Sequence, residues 1–279
     1  VIEQEMRMTA LASTERPPAT TRPRAAQTLQ ASATLWFVAA VIGQWAFVYY
    51  IALFYGPTFA SGDFAAWNRN KMLIDGHIAG DPVGNLFFAA HVALAAVLTF
   101  GGALQLVPQI RARAIVFHRW NGRVFLLAAS LAAAGGLYLV WVRGTTTNPA
   151  ATASITLNAA LIFAFALLAF RAVRSKDIAA HQRWATRLFL AVNGVWFIRV
   201  GFMAWMMLTQ RAFGTEPFFT IWGFGSYLVP LAVYELYWRV KKGEDASAKL
   251  AVAGGIFALT LVMGAGIAAA VLFMWSPLL

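Results

Sequence analysis

Four histidines, one arginine deep in an apolar run and two copies of an arginine–tryptophan motif are the residues here with chemistry beyond packing. The histidines are His77, His91, His118 and His181, and the chain has no cysteine. Thiolate metal sites, disulfides and cysteine nucleophiles are therefore excluded. Two of the histidines open related segments, HRWNGRVFL from His118 and HQRWATRLFL from His181. These share R-W-x-x-R-x-F-L at an offset of 64 residues, so Arg119, Trp120 and Arg123 match Arg183, Trp184 and Arg187. The histidines themselves are out of step by one residue, which on a helix is a rotation of about 100°.

Two constellations follow. Imidazoles facing each other from different helices at one depth ligate the iron of haem b. His118 and His181 are the candidate inner pair for haem iron and His91 an outer ligand. Arg119, Arg123, Arg183 and Arg187 stand ready for the propionates or for lipid phosphate. His77 lies in a loop about seven residues before its nearest apolar run, so pairing it with His91 would require the loop to fold back into the membrane. The second constellation is deeper. At about 1.5 Å per residue, Arg199 falls about 17 Å from the inner edge and His91 about 10 Å from the outer edge of a ~30 Å hydrocarbon core. Gln44 shares that level and Asn158 sits somewhat higher. An arginine near mid-membrane is costly and should face a polar cavity. Arg199, His91, Gln44 and Asn158 are thus a candidate ligand pocket.

The elements that must position these residues are membrane spans. Of 279 residues, 60% are hydrophobic and only 12% charged, against about 25% charged in a soluble domain. Seven apolar runs are long enough for the ~20 residues a spanning helix needs: Leu35–Tyr55, Gly84–Val107, Val124–Val142, Ile155–Val173, Leu188–Leu208, Ile221–Trp238 and Leu250–Trp275. The first exceeds the 7–15 residues of a signal-peptide core and is read as retained. The expected fold class is therefore all-α, a polytopic membrane protein with about seven transmembrane helices in residues 34–279, preceded by a disordered cytoplasmic tail over 1–33. Between the external loop residues 56 and 83, a short helix is expected near Trp67–Ile74.

Lysine and arginine set the orientation. The tail and the second, fourth and sixth connections carry seventeen of them, including Arg111, Arg113, Arg171, Arg174, Lys241 and Lys242. The alternate connections carry four, namely Arg69, Lys71, Arg143 and Arg211. This bias places the N-terminus in the cytoplasm and the C-terminus outside. It also accounts for the net charge of +11 without nucleic acid, because the basic residues sit between apolar runs rather than on a hydrophilic face. Both copies of the arginine–tryptophan motif enter a span from the cytoplasmic side. The second to fifth spans then form a four-helix core of two hairpin repeats.

With His91, Gly101–Gly102, the stretch from Arg111 to Arg123, the segment from His181 to Arg187 and Arg199, the region from Gly84 to Val200 resembles a family of predicted bacterial membrane proteins of unknown function. That resemblance implies a multi-pass protein of the bacterial inner membrane and no particular activity. The four-helix core is also loosely similar to diheme cytochrome b and ferric-reductase-like proteins, which implies haem b and electron transfer. Three functions are carried forward: a b-type-haem redox protein, a non-haem protein that binds or moves a small anion, lipid or metal in an Arg199/His91 cavity, and an accessory subunit of a larger respiratory or photosynthetic complex. The lipid bilayer is the partner common to all three.

Overall fold

A computed structural model describes residues 21–70, 75–146, 148–210 and 216–279, and among these there is no strand. The helices are α1 (Thr21–Ser61), α2 (Pro82–Gln105), α3 (Pro108–Arg113), α4 (Ile115–Trp141), α5 (Pro149–Arg174), α6 (Ile178–Val192), α7 (Gly194–Thr209), α8 (Glu216–Lys242) and α9 (Ala246–Ala269). A π-helical turn over Ala270–Trp275 and a 3-10 turn over Ser276–Leu278 continue α9.

Among the described residues, five helical segments are long and apolar enough to cross a membrane: Pro23–Ser61, Pro82–Gln105, Ile115–Trp141, Pro149–Arg174 and Ala246–Leu278. A sixth span results if α6 and α7, which meet at a bend of 52°, are counted as one. The run Ile221–Trp238, expected as a further span, lies inside α8. That helix has the length, but Pro230, Glu235 and its tyrosines and tryptophans lower its hydropathy, and it is not among the spans that length and composition identify.

Three other expectations are modified. The first helix starts at Thr21, so the boundary of the expected tail at residue 33 falls within a helix, while residues 1–20 lie outside the described residues. The third span begins at Ile115 rather than Val124, which makes the whole His118 motif helical. In the connection between α1 and α2 the short helix is a 3-10 segment over Phe64–Arg69, and residues 71–74 lie outside the described ones.

Helix starts follow local chemistry. Asp81 accepts from Gly84 N at 2.8 Å with Pro82 in the first position of α2. Asn148 accepts from Ala150 N at 2.8 Å with Pro149 opening α5, and Asp177 accepts from Ala180 N at 2.9 Å to open α6. These are the acceptors that exposed helix N–H groups require, and the prolines occupy positions where no N–H is missed. Asp245, ahead of α9, accepts from Ser247 and Ala248. Those donors, the Ser247 hydroxyl first, hold its carboxyl below the ordinary range.

The chain divides into two units, one of residues 1–37 with 233–260 and one of 38–232 with 261–279. In the first, Leu29, Ala253 and Ile256 form a core joined by Trp36, Val233 and Tyr237, and the Tyr237 hydroxyl donates to Gln30 Oε1 at 3.2 Å. In the second, the principal helix pairs are α5 with α6, α2 with α4, and α4 with α5. Small residues permit this packing. A Cβ on Gly102 would lie 2.7 Å from Phe125, and on Gly43 2.7 Å from Trp196. Asn121 Nδ2 donates to the Gly101 carbonyl at 2.8 Å, and Gln105 Nε2 donates to the His118 carbonyl at 3.0 Å, tying α2 to α4 at one end of the pair.

Candidate functional site

Within the second unit, the break between α6 and α7 is built from a polar pair. Asn193 lies between the two helices, with its own N–H bonded to the Phe189 carbonyl at 3.1 Å and its side-chain Nδ2 to the same carbonyl at 2.8 Å. Its Oδ1 accepts from Gln44 Nε2 of α1 at 3.1 Å. Gln44 and Asn193 are both buried. The Trp196 and Phe197 amides then both bond the Asn193 carbonyl at 2.9 Å, which restarts the helix in a new direction.

Beside this break lies a cavity of about 90 Å³. Space of ~10–15 Å³ holds one water on this measure, so the cavity has room for several waters or a molecule of a few heavy atoms. Its wall is apolar, largely alanines and branched residues of α2, α4 and α5, apart from His91, Thr99, Asn158, Asn193 and the Trp196 indole.

His91 is oriented by the backbone. Its Nδ1 is 3.1 Å from the Ala132 carbonyl. A carbonyl can only accept, so Nδ1 carries the proton and Nε2 of the neutral ring is an acceptor. The ring lies against Gly135 and Gly136 of α4, where an added Cβ would make ordinary contact with it at 3.9 and 3.6 Å. Around the cavity, three polar atoms are buried without a hydrogen-bond partner: Asn158 Oδ1, Trp196 Nε1 and, one shell back, Gln44 Oε1.

Three of the four residues expected to form a pocket thus converge, His91 and Asn158 on its wall and Gln44 through Asn193. Arg199 is half-buried and is not on the wall. Its Nη1 donates to the Val195 carbonyl at 2.7 Å, and its guanidinium overlies the Phe47 ring at 5.4 Å. Phe47 is a wall residue, and the arginine's charge is felt at Tyr50, Tyr55 and His91.

The inner histidines occupy a separate place. His181 Nδ1 is 3.0 Å from the Ala169 carbonyl, so its Nε2 is the acceptor. His118 has a buried Nδ1 without a partner and lies within electrostatic reach of His181 and Arg111. In both motif copies the second arginine covers the tryptophan: Arg123 over Trp120 at 4.8 Å and Arg187 over Trp184 at 4.4 Å.

As a haem site the two histidine levels differ. No second histidine joins His91 on the cavity wall, and about 90 Å³ is far below the ~300–1,000 Å³ of pockets for larger ligands. A porphyrin does not fit there, so the expected outer ligation by His91 lacks both partner and space. The inner pair has suitable donors and arginines. Among the described residues no three His, Asp or Glu side chains gather as a metal centre.

Asn193 and Trp196 were not singled out from sequence. The available signal was the Asn193–Gly194 dipeptide, a turn-former inside an apolar run. Nothing local marks the indole of Trp196.

The chain belongs to the family described as Predicted membrane protein (DUF2306), whose model matches residues 88–238. The matched segment contains His91, Asn158, Asn193, Trp196, Arg199 and both arginine–tryptophan motifs. No curated protein and no solved structure matches the chain.

Proposed function

We propose that this member of the family binds a small hydrogen-bonding molecule within the membrane, in the cavity beside the α6–α7 break. The observation that carries the reading is a cavity whose wall holds His91, Asn158 and Trp196, with Asn158 Oδ1 and Trp196 Nε1 buried without partners and Gln44 Oε1 unpaired behind the wall residue Asn193. Leaving one such group unpaired costs about 1–3 kcal/mol, and no water of the bilayer core offsets it. A ligand that pairs with them recovers that cost. The complement is mixed: Trp196 donates, the neutral His91 Nε2 accepts, and the Asn158 amide can do either.

The setting for this site is a bacterial cytoplasmic membrane, with α8 as a further span to make seven, the N-terminus inside and the C-terminus outside. Support comes from the charge bias of the connections. The two hairpins α2–α4 and α5–α6 are read as repeats, supported by the same arginine-over-tryptophan stack in each.

A second reading is favoured by the inner histidines. His181 Nδ1 is directed to a carbonyl, the arrangement that fixes an imidazole for metal ligation. His118 and His181 would hold the iron of one haem b, and Arg119, Arg123, Arg183 and Arg187 its propionates. Haem b supplies one-electron transfer when bound.

Three outcomes test these readings. Asn158→Leu, which removes an unpaired polar atom, raises the melting temperature in detergent by about 2–4 °C. A lowered melting temperature would mark Asn158 as a packing residue and count against the binding cavity. In the cysteine-free chain, Ser61→Cys is labelled by an impermeant maleimide on intact spheroplasts and Lys242→Cys only after permeabilisation. The reverse pattern would invert the orientation. For haem, the purified protein shows a Soret band that His181→Ala removes. A colourless protein from haem-replete cells ends that reading.

A further inference from the structure

The two copies of the arginine–tryptophan motif share one internal stack but differ in their surroundings, and we infer that the first copy holds the phosphate of an anionic phospholipid. The inference is independent of the cavity, and it gives Arg119 and Arg123 a lipid phosphodiester in place of the propionates of the haem reading. On α4 the residues Val116, Trp120, Val124, Leu127 and Leu131 follow one another at steps of three and four, which puts them on one helix face. Each is between 47% and 66% exposed. Arg119 and Arg123 are exposed as well and stand on the same face. In the second copy Trp184 is half-buried and stacks on Phe165 at 5.8 Å, and the residues that follow Arg187, from Leu188 to Ala191, are all buried. The second copy is packed against protein, and the first is left facing outward.

Within the first copy the charges ask for an anion. Arg119 and Arg123 are one helical turn apart, and like charges at that spacing weaken a helix unless something negative lies between them. The chain supplies nothing of the kind: between Asp81 and Asp177 it has no Asp or Glu, and among the described residues no carboxylate is paired with either arginine. Arg123 lies over the Trp120 ring at 4.8 Å. Stacking occupies the face of a guanidinium and leaves the N–H groups of its edge to donate. A phosphodiester accepts such bonds two at a time.

The same face supplies the place for an acyl chain. Val124, Leu127 and Leu131 carry it about 12 Å beyond Arg123 at the helical rise of about 1.5 Å per residue, so a lipid whose phosphate is held by the arginines lies along them. Two more exposed arginines, Arg111 and Arg113, belong to α3, which packs against α4. This excess of positive charge disfavours a headgroup with an ammonium of its own and selects a lipid of net negative charge, such as phosphatidylglycerol.

The test is native mass spectrometry of the full chain in detergent, titrated in parallel with phosphatidylglycerol and phosphatidylcholine of identical acyl chains. One phosphatidylglycerol binds about tenfold more tightly than phosphatidylcholine, the order expected for charge-assisted contacts from two arginines. Arg119→Gln combined with Arg123→Gln abolishes that preference. Arg171→Gln, which removes an exposed charge from the last turn of α5, leaves it intact. Glycerophosphoglycerol, the headgroup without chains, binds at least about tenfold more weakly than the lipid. If the double variant fails to fold, Arg123→Gln alone decides, by lowering the preference. Equal affinity for the two lipids, or a preference that survives the arginine substitutions, would overturn the inference. So would a preference lowered as much by Arg171→Gln, which would mean diffuse attraction to the charged end. Glycerophosphoglycerol binding as tightly as the lipid would leave the apolar face without a part and overturn it too. A lipid-free dimer that Trp120→Ala dissociates would give the face to a second copy, with the same consequence.

Discussion

The hydrogen bond from Gln44 to Asn193 is the interaction on which the centre of the second unit depends. Two side-chain amides in the interior of a membrane protein are each expensive alone, since neither lipid nor apolar side chains offer partners. Joined at 3.1 Å, they compensate one another and fix α1 against the point where α6 ends. The Asn193 Nδ2 also donates to the Phe189 carbonyl, as a second donor beside the Asn193 backbone N–H. The 52° change of direction is thereby stabilised rather than merely tolerated. Helix kinks elsewhere arise from proline or inserted polar groups. Here the inserted group belongs to the chain itself.

What the break exposes contrasts with how the remaining polar groups are handled. Asp81, Asn148 and Asp177 each close a helix start. Arg143, whose side chain is 3% exposed, is paired with Asp81 at 2.9 Å and donates from Nη2 to Asn85 Oδ1 at 2.7 Å as well. Asn121 and Gln105 tie α2 to α4 through carbonyls. Against that background, the unpaired atoms near the cavity, like His118 Nδ1 elsewhere, are departures, and departures from satisfied burial concentrate where a protein binds something.

The helical class, the membrane setting, five of the expected runs and the nearness of His91 to Asn158 were legible because each depends on composition or on spacing along a helix. A 1.5 Å rise suffices to place residues by depth. It does not tell which way a side chain turns, and so Arg199 was grouped with His91 although it lies behind Phe47. The continuous fifth span failed for a different reason. Apolar periodicity is blind to a single buried amide whose partner, Gln44, is 149 residues away. The role of Trp196 was equally hidden, since an aromatic on a membrane helix ordinarily signals packing or the interface. The repeated motif was visible as sequence, and the stacking of its second arginine on its tryptophan gives that repetition a physical content.

The central claim, that the Gln44–Asn193 pair holds the break and with it the cavity, is tested most directly by a double-mutant cycle with Gln44→Leu and Asn193→Leu, read by equilibrium unfolding in detergent. Each single substitution strands the other amide and costs about 1–3 kcal/mol. The double variant costs no more than the worse single one, giving a coupling of about 1–2 kcal/mol. Strictly additive losses would show that the two amides act independently and would contradict the account.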